Sequence, residues 1–389
     1  MSMNDIVIIG IDHHNGLNLG RCFYNKGMNV YCLVHTSKRH AYLKLSKYFK
    51  EVLLFRNPSD ACEYAVNRWK NSISKPVLFP VSDEAAAYVD DNLDLLGKIF
   101  ITPAIKGIQG SINRLMNKAN QKEFIHSSAF PSAKYTVLQL GMNIIQPFNK
   151  CIIKAITSAE GKKSDIRITK NQIEFDEAVK YLIHEGYNRV LVEEYLDIDY
   201  EIQLIGCICK NNRKNYFSIH RIIRTYPIGK GTGCFEKTIV EESIIKQCEL
   251  FLQKINELGF YGLIDVEFFS VDGKIYVNEV NWRNSGCLYN IWSNNYNFPY
   301  AWYLDATGIS DTDFTINDNM RFDSDYSMTE YSDIRYPLYY KEIIEFKEWK
   351  QQFKYTKNFA YLHKEDMMPA LAIYFRLFIR FLSGSLKEK

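Results

Sequence analysis

Residues 277–286, VNEVNWRNSG, place a carboxylate, an amide and a guanidinium at alternate positions: Glu279, Asn281 and Arg283. Side chains on a strand alternate between faces, so these three share one face. The preceding run GLIDVEFF, 262–269, alternates likewise and puts Asp265, Glu267 and Phe269 together. The two strands join around Val271-Asp272-Gly273, and loop length sets which residues meet. A two-residue Asp-Gly turn pairs Val271 with Lys274, faces Glu267 with Asn278 and sends Glu279 to the other side. A three-residue loop pairs Ser270 with Lys274 and sets Asp265 opposite Glu279, with Glu267 diagonal to it. The three-residue loop is the expectation, because it gathers Asp265, Glu267, Glu279, Asn281 and Arg283 into one site. Clustered carboxylates repel strongly at low dielectric. A salt-bridge network around Arg283 is the structural alternative, but three acids and an amide exceed what one arginine neutralises. A hard divalent cation taking carboxylate and amide oxygens offsets the remainder, and magnesium usually arrives with the phosphates of a nucleotide.

Composition narrows the setting for such a site. The chain has 389 residues, enough for two or three domains, and its 47% hydrophobic and 24% charged content is ordinary for a globular protein. A net charge of +3 without a long basic run argues against nucleic acid as a partner. Nine cysteines lack zinc spacing, and the pair Cys207 and Cys209 has no companion pair, so packed reduced thiols are expected. The start, MSMNDIVIIG, lacks the features of a signal peptide, and no stretch reaches the ~20 apolar residues of a membrane span. A cytoplasmic location is therefore expected. Residues 368–382, MPALAIYFRLFIRFL, are apolar apart from Arg376 and Arg380, which share a helical face. A helix docked on the body is the expectation. The alternative is a helix lying on a membrane surface with its arginines toward anionic lipid.

The elements that must position these residues begin with short apolar strands at 5–11, 29–34, 52–55 and 77–81. Helices at 16–27 and 83–96, the second capped by Ser82, alternate with them. This pattern predicts a doubly wound parallel α/β domain over residues 1–105. The loop Gly10–Gly16 lacks the spacing of a dinucleotide fingerprint. His13 and His14 either line a cleft at the end of the first strand or sit in a solvated loop. Further along, CIIKAI at 151–156 reads as a strand carrying Lys154, followed by a polar loop at 157–164. An amphipathic helix at 175–186, a strand at 189–195, two long strands, a Gly-rich loop at 227–233 and a helix at 243–258 lead into the acidic pair.

Taken in order, Lys118, Lys154, Glu193-Glu194-Tyr195-Leu196, Glu201, Glu267 and Asn278-Glu279-Val280-Asn281-Trp282-Arg283 resemble the ATP-grasp superfamily. The likeness is greatest to its carboxylate–amine ligases of the carbamoyl-phosphate-synthase-like and D-aspartate-ligase-like type. It covers residues ~1–310, most clearly 110–286, and rests on the order and spacing of several short motifs. The resemblance implies an N-terminal α/β domain, an ATP-grasp domain of two α+β subdomains over 106–310 with a lid at about 120–192, and a C-terminal helical extension over 311–389. It implies ATP and magnesium (or manganese) as cofactors. Lys118 and Lys154 would contact phosphates, joined by Ser158 and Gly161 of the lid loop. Glu193, Glu194 and Leu196 would lie on the strand that holds adenine, and Glu201 would bind ribose. Glu267, Glu279 and Asn281 would hold the metal, while Arg283 and Lys154 would offset developing charge. Arg221, Arg224, Ser285 and Gly286 are candidate substrate contacts. The loop 157–164 is less glycine-rich than is common in the family, Asp265 has no settled role, and GKKS at 161–164 is not a P-loop because position 156 is Ile. Residues 220–233 and 366–371 carry weaker likenesses to the family's substrate-side loop and to the tail of the D-aspartate-ligase-like group.

The implied reaction activates a carboxylate as an acyl phosphate and transfers it to an amine, forming an amide and ADP. The expected partners are a small-molecule acid and amine, such as an amino acid and a sugar acid or cell-envelope precursor. Peripheral membrane contact through 368–382 and a homodimer are further options. A biotin-carboxylase-like enzyme and a non-catalytic ATP-binding scaffold are the alternative readings.

Overall fold

The computed structural model describes residues 4–24, 26–141, 144–156, 165–211, 214–229, 231–289, 296–314 and 325–383. Four short apolar runs form the N-terminal sheet: β1 (Ile6–Gly10), β2 (Val30–His35), β3 (Glu51–Phe55) and β4 (Val77–Pro80). All are parallel, in the order β3-β2-β1-β4. Alternate residues of β1 enter different cores: Ile6 and Ile8 pack with Leu17 and Phe23, Val7 and Ile9 with Ala61, Ala65 and Val89. Burial on both faces explains the near-continuous apolar runs. Helix His14–Tyr24 covers one side, and helices Pro58–Trp69 and Asp83–Asp91 cover the other. Ser82 caps Asp83–Asp91 by accepting from the Ala85 amide. The helix expected over 83–96 breaks at Asn92 and resumes as Leu93–Ile99. Between β1 and β4 the strand order reverses, which opens a crevice at their carboxyl ends.

The short strand β5 (Ala104–Ile105) leads to helices Ser111–Met116 and Lys118–Ser127. A small antiparallel sheet follows: β6 (Tyr135–Gln139), β7 (Cys151–Lys154), β8 (Arg167–Thr169) and β9 (Arg189–Glu194), ordered β6-β9-β7-β8. Its inner face packs Cys151, Ile153, Val190 and Val192 on Phe175, Val179 and Leu182 of helix Gln172–His184.

The main sheet is built from β10 (Tyr200–Ile208), β11 (Asn215–Tyr226), β12 (Thr232–Thr238), β13 (Phe260–Val271) and β14 (Lys274–Asn281). The C-terminal segment extends it with β15 (Tyr326–Met328) and β16 (Asn358–Phe359), giving the order β14-β13-β10-β11-β12-β15-β16. Helix Glu242–Leu258 presses Ile244, Cys248, Phe251 and Ile255 against Ile202, Leu204, Val266 and Phe268 on one face. The opposite face carries the polar residues considered below.

Helix Met367–Leu382 docks on the body through Pro369, Ala370 and Ile373. Beyond this docked face the helix differs from an ordinary surface helix, whose exposed side is polar. Phe375, Phe378, Ile379 and Leu382 remain 65%, 56%, 49% and 68% exposed. Arg376 and Arg380 instead line an inward groove, with Arg380 donating to the Tyr331 hydroxyl. Among the described residues no helix is long and apolar enough to cross a membrane. All nine cysteines are buried and free.

Candidate active site

The hairpin of β13 and β14 differs from the expectation in an instructive way. Val271 pairs with Lys274 across a two-residue turn, with Asp272 and Gly273 both at positive φ, +50° and +73°. Asp-Gly suits that turn because both positions need left-handed backbone. A plain ladder would then turn Glu279 away. The register shifts, however, at Glu267: Phe268 faces Val277, and Glu267 faces Glu279. Asn278 is the extra residue of a β-bulge, which rephases the strand. Ile275 and Val277 before the bulge, and Val280 and Trp282 after it, all enter the same core. Glu267 and Glu279 are thereby set opposite each other, and Asp265 faces Asn281. The Asn278 amide donates to Glu267 Oε2 at 3.2 Å, so the bulge is tied to the acid it delivers.

Neighbouring elements close around this face. Gln203 of β10 pairs with Glu267, and its amide donates to both Asp265 oxygens at 3.1 Å. Burial raises the Asp265 pKa, while Arg283 and Gln203 oppose the shift. Burial also works against the charge on Arg283, but Asp83 and Asp265 outweigh it and raise its pKa. Arg283 Nε donates to Asp83 Oδ1 at 2.6 Å, which joins the acidic face to the first turn of the helix after β4.

Helix Lys118–Ser127 brings in the cations. Asn117 caps it by accepting from the Ala119 and Asn120 amides. Gln121, buried on its inner face, lies along the free edge of β14. It accepts from the Val280 N–H at 2.9 Å and donates to the Val280 carbonyl at 2.8 Å. This clamp places Lys118 Nζ 3.5 Å from Glu279. One turn on, Lys122 Nζ lies 3.2 Å from Glu193, whose other oxygen is 2.8 Å from Lys154 Nζ. Glu193 and Lys122 side chains are only 2% and 3% exposed, and Lys154 13%. Burial favours the neutral acid, yet Lys154 and Lys122 together lower the Glu193 pKa. Lys154 is raised because Glu193 outweighs its burial, whereas burial prevails at Lys122 and lowers it.

The remaining expected residues distribute unevenly. On β9 and beyond, the Glu194 amide donates to the Lys134 carbonyl and the Tyr195 amide to the Lys150 carbonyl. The Leu196 amide has no hydrogen-bond partner among the described residues. Glu193 was expected on an adenine-holding strand; what the structure shows for its side chain is contact with two lysines. Glu201 shares a sheet face with Gln203, two residues along β10. Ser285 is buried and accepts from the Cys287 amide at 3.0 Å. Gly286 lies against His13 and His14, where a Cβ would meet ring atoms at 3.6 and 3.8 Å, ordinary contact distances. Arg221 does not join the site: it pairs with Ile202, on the face opposite Gln203, and stacks over Tyr200. Arg224 does not join it either. A register shift turns it into the C-terminal core, where Nε and Nη2 donate to Asp333 and Nη1 to Gln352, at 2.7–2.8 Å. Ser158 and Gly161 lie outside the described residues.

The loop after β1 is packed rather than solvated. His14 is buried and hydrogen-bonds the Tyr361 hydroxyl at 3.1 Å. Burial, reinforced by Arg283, lowers the His13 pKa to about 4, and burial lowers His14 as well, so both rings are neutral at pH 7. Lys122, Gln121 and Gln203 were not singled out from the sequence. The i, i+4 spacing of Lys118 and Lys122 on one helix was the available signal for the first.

The donor set fits a hard cation. Glu267, Glu279 and Asn281 offer oxygens only, on adjacent strands. Among the described residues no three His, Cys, Asp or Glu side chains form a complete cation cage. Two carboxylates and an amide suit magnesium, which keeps waters and shares its shell with phosphate oxygens.

A model of the ATP-grasp domain family matches residues 124–292. A formate-dependent phosphoribosylglycinamide formyltransferase of Aliivibrio fischeri is 30% identical over 141 residues, 34% of this chain and 34% of that protein. An N5-carboxyaminoimidazole ribonucleotide synthase of Haemophilus influenzae is 27% identical over 113 residues, 26% of this chain and 30% of that protein. The chain thus matches about a third of the length of these curated relatives. The ADP complex of N5-carboxyaminoimidazole synthetase from Staphylococcus aureus shares the fold, with a TM-score of 0.62 over 80% of this chain and 79% of that one, at 17% identity. Residues 124–292 thus match an ATP-grasp domain, and the fold around them is that of the solved structure.

Proposed function

We propose that this chain is an ATP- and magnesium-dependent carboxylate–amine ligase that forms an amide through an acyl phosphate. The observation that carries the proposal is the bulge that sets Glu267 against Glu279 beside Asn281 and Arg283, under Lys118 and the Lys122–Glu193–Lys154 triad. Three lysines and an arginine interleaved with the carboxylates of Asp83, Glu193, Asp265, Glu267 and Glu279 suit a site completed by a polyphosphate and a cation. In this reading Lys118 and Lys154 bind phosphate oxygens, with Ser158 and Gly161 as further contacts. The free Leu196 amide binds the base, Glu194 flanks it, and Glu201 binds ribose hydroxyls. Glu267, Glu279 and Asn281 would hold magnesium, which neutralises phosphate charge when bound. The substrate carboxylate forms a bond to the γ-phosphorus while the β–γ bridge breaks, releasing ADP. Arg283, held by Asp83, stabilises the transferring phosphoryl group. The amine then attacks the acyl carbon, and phosphate leaves. Among the described residues Gln203 Oε1 is buried without a hydrogen-bond partner, which supports a role in accepting from the amine. Ser285 and Gly286 border the acyl group. The acid and amine are small molecules, and an amino acid joined to a sugar acid or cell-envelope precursor is the proposed pairing.

Hydroxylamine as a surrogate amine tests this reading. Purified protein with ATP and magnesium is offered a panel of amino acids and uronic acids. A hydroxamate that forms with one acid, with stoichiometric ADP, and is lost in Glu279→Gln supports the ligase. Tight ATP binding with no hydroxamate from the acids, amine-terminated or lipid-linked analogues included, would refute it.

A further inference from the structure

The groove beside helix Met367–Leu382 has a volume of about 730 Å³. It lies between that helix and the N-terminal domain, and its walls combine two chemistries. Lys38, Arg376 and Arg380 supply three cations against one acid, Asp12. Tyr42, Tyr361, Ile373, Phe375 and Ile379 supply apolar and aromatic surface. Phe375 and Ile379 line the groove and also belong to the exposed outer face, which continues through Phe378 and Leu382. A surface helix normally turns its charges out and its apolar side in. Here the arginines line the groove while Phe378 and Leu382 face solvent. An exposed apolar patch of this kind marks an interaction surface.

We propose that this groove binds the headgroup of an anionic lipid presented by a bilayer. The headgroup phosphate sits among Lys38, Arg376 and Arg380, and the acyl region lies along Phe375, Phe378, Ile379 and Leu382. Charge complementarity selects the anion, and continuity of the apolar face with the cationic lining selects an amphiphile over a free ion. This assignment stands apart from the ligase reading, because it concerns binding alone. The groove's inner wall does approach the candidate active site: Tyr361 hydrogen-bonds His14, and His14 lies against Gly286.

Co-sedimentation of the full chain with vesicles tests it, using phosphatidylcholine alone and phosphatidylcholine mixed with phosphatidylglycerol. Binding is expected only to the anionic vesicles. Removing each basic residue should weaken it roughly 5-fold, and Arg376→Gln with Arg380→Gln together about 25-fold. Lys38→Gln, on a separate element, decides the matter if the double variant does not fold. Phe378→Ser should also weaken binding, whereas Lys246→Gln, on the distant helix Glu242–Leu258, should not. Inorganic phosphate at the headgroup concentration should not compete. Equal binding to both vesicle types, no binding, unchanged binding in the Lys38 and arginine variants, or displacement by inorganic phosphate would each overturn the proposal.

Discussion

Replacing Glu193 by Gln removes the carboxylate that bridges Lys122 and Lys154, at 3.2 and 2.8 Å. The two ammonium groups then face each other in a site where Lys122 is almost wholly buried. Breaking a buried pair by deleting one partner costs about 3–5 kcal/mol, because the orphaned charge stays desolvated. Lys122→Met is the informative counterpart. It leaves Glu193 and Lys154 as a balanced pair, so it should cost less than about 1 kcal/mol. Hydrogen exchange of peptides covering β7 and β9 reads this locally. Loss of about 3–5 kcal/mol corresponds to exchange roughly 100- to 3000-fold faster, at about 1.4 kcal/mol per tenfold. The pH dependence has a fixed sign. Lys122 has a pKa lowered by burial, so the unfolded chain binds more protons than the folded one below the ordinary lysine value. Stability from this group therefore rises with pH, and without Glu193 the lowering deepens. The Glu193→Gln deficit relative to wild type should shrink as pH climbs toward ~10.4. If Lys122→Met proved as damaging as Glu193→Gln, or the deficit grew with pH, the triad would not be acting as a buried charge balance.

Four other outcomes follow from the geometry. Glu279→Gln should lower magnesium-dependent ADP release roughly 100-fold or more, while thermal melting stays close to wild type. Gln121→Leu leaves the Val280 N–H and carbonyl without their side-chain partner and should cost about 2–4 kcal/mol in urea unfolding. Asp333→Asn disrupts the buried bidentate pair with Arg224 and should destabilise by about 3–5 kcal/mol; Arg221→Ala, at an exposed position, should change neither stability nor ATP affinity measurably.

The N-terminal domain was legible because its signals are local. Buried parallel strands read as short apolar runs, and Ser82 announces its helix by a cap. The site was legible as a set of residue types and misread as geometry. Strict alternation cannot bring Glu267 and Glu279 together across a two-residue turn, so a longer loop was expected. The actual device was nevertheless written in the strand: apolar residues at 275 and 277 resume at 280 and 282, a phase slip of one residue. Arg221 and Arg224 were unreadable for a related reason. Their faces depend on β11 pairing and on its own register shift, which arise from partners far away in sequence. Gln121 and Gln203 carry no charge pattern, and only tertiary packing reveals them.

The Gln121 clamp has a consequence for how molecules of this protein meet one another. β14 ends the main sheet, and its outward amides and carbonyls would offer a template for a strand from another chain. Val280 is instead satisfied by Gln121, and the Val277 amide donates to the Pro131 carbonyl at 2.8 Å. The helix that delivers two lysines to the candidate site thus also seals a sticky border. Substitutions at Gln121 should surface first as aggregation during expression, before any loss of nucleotide affinity is measured.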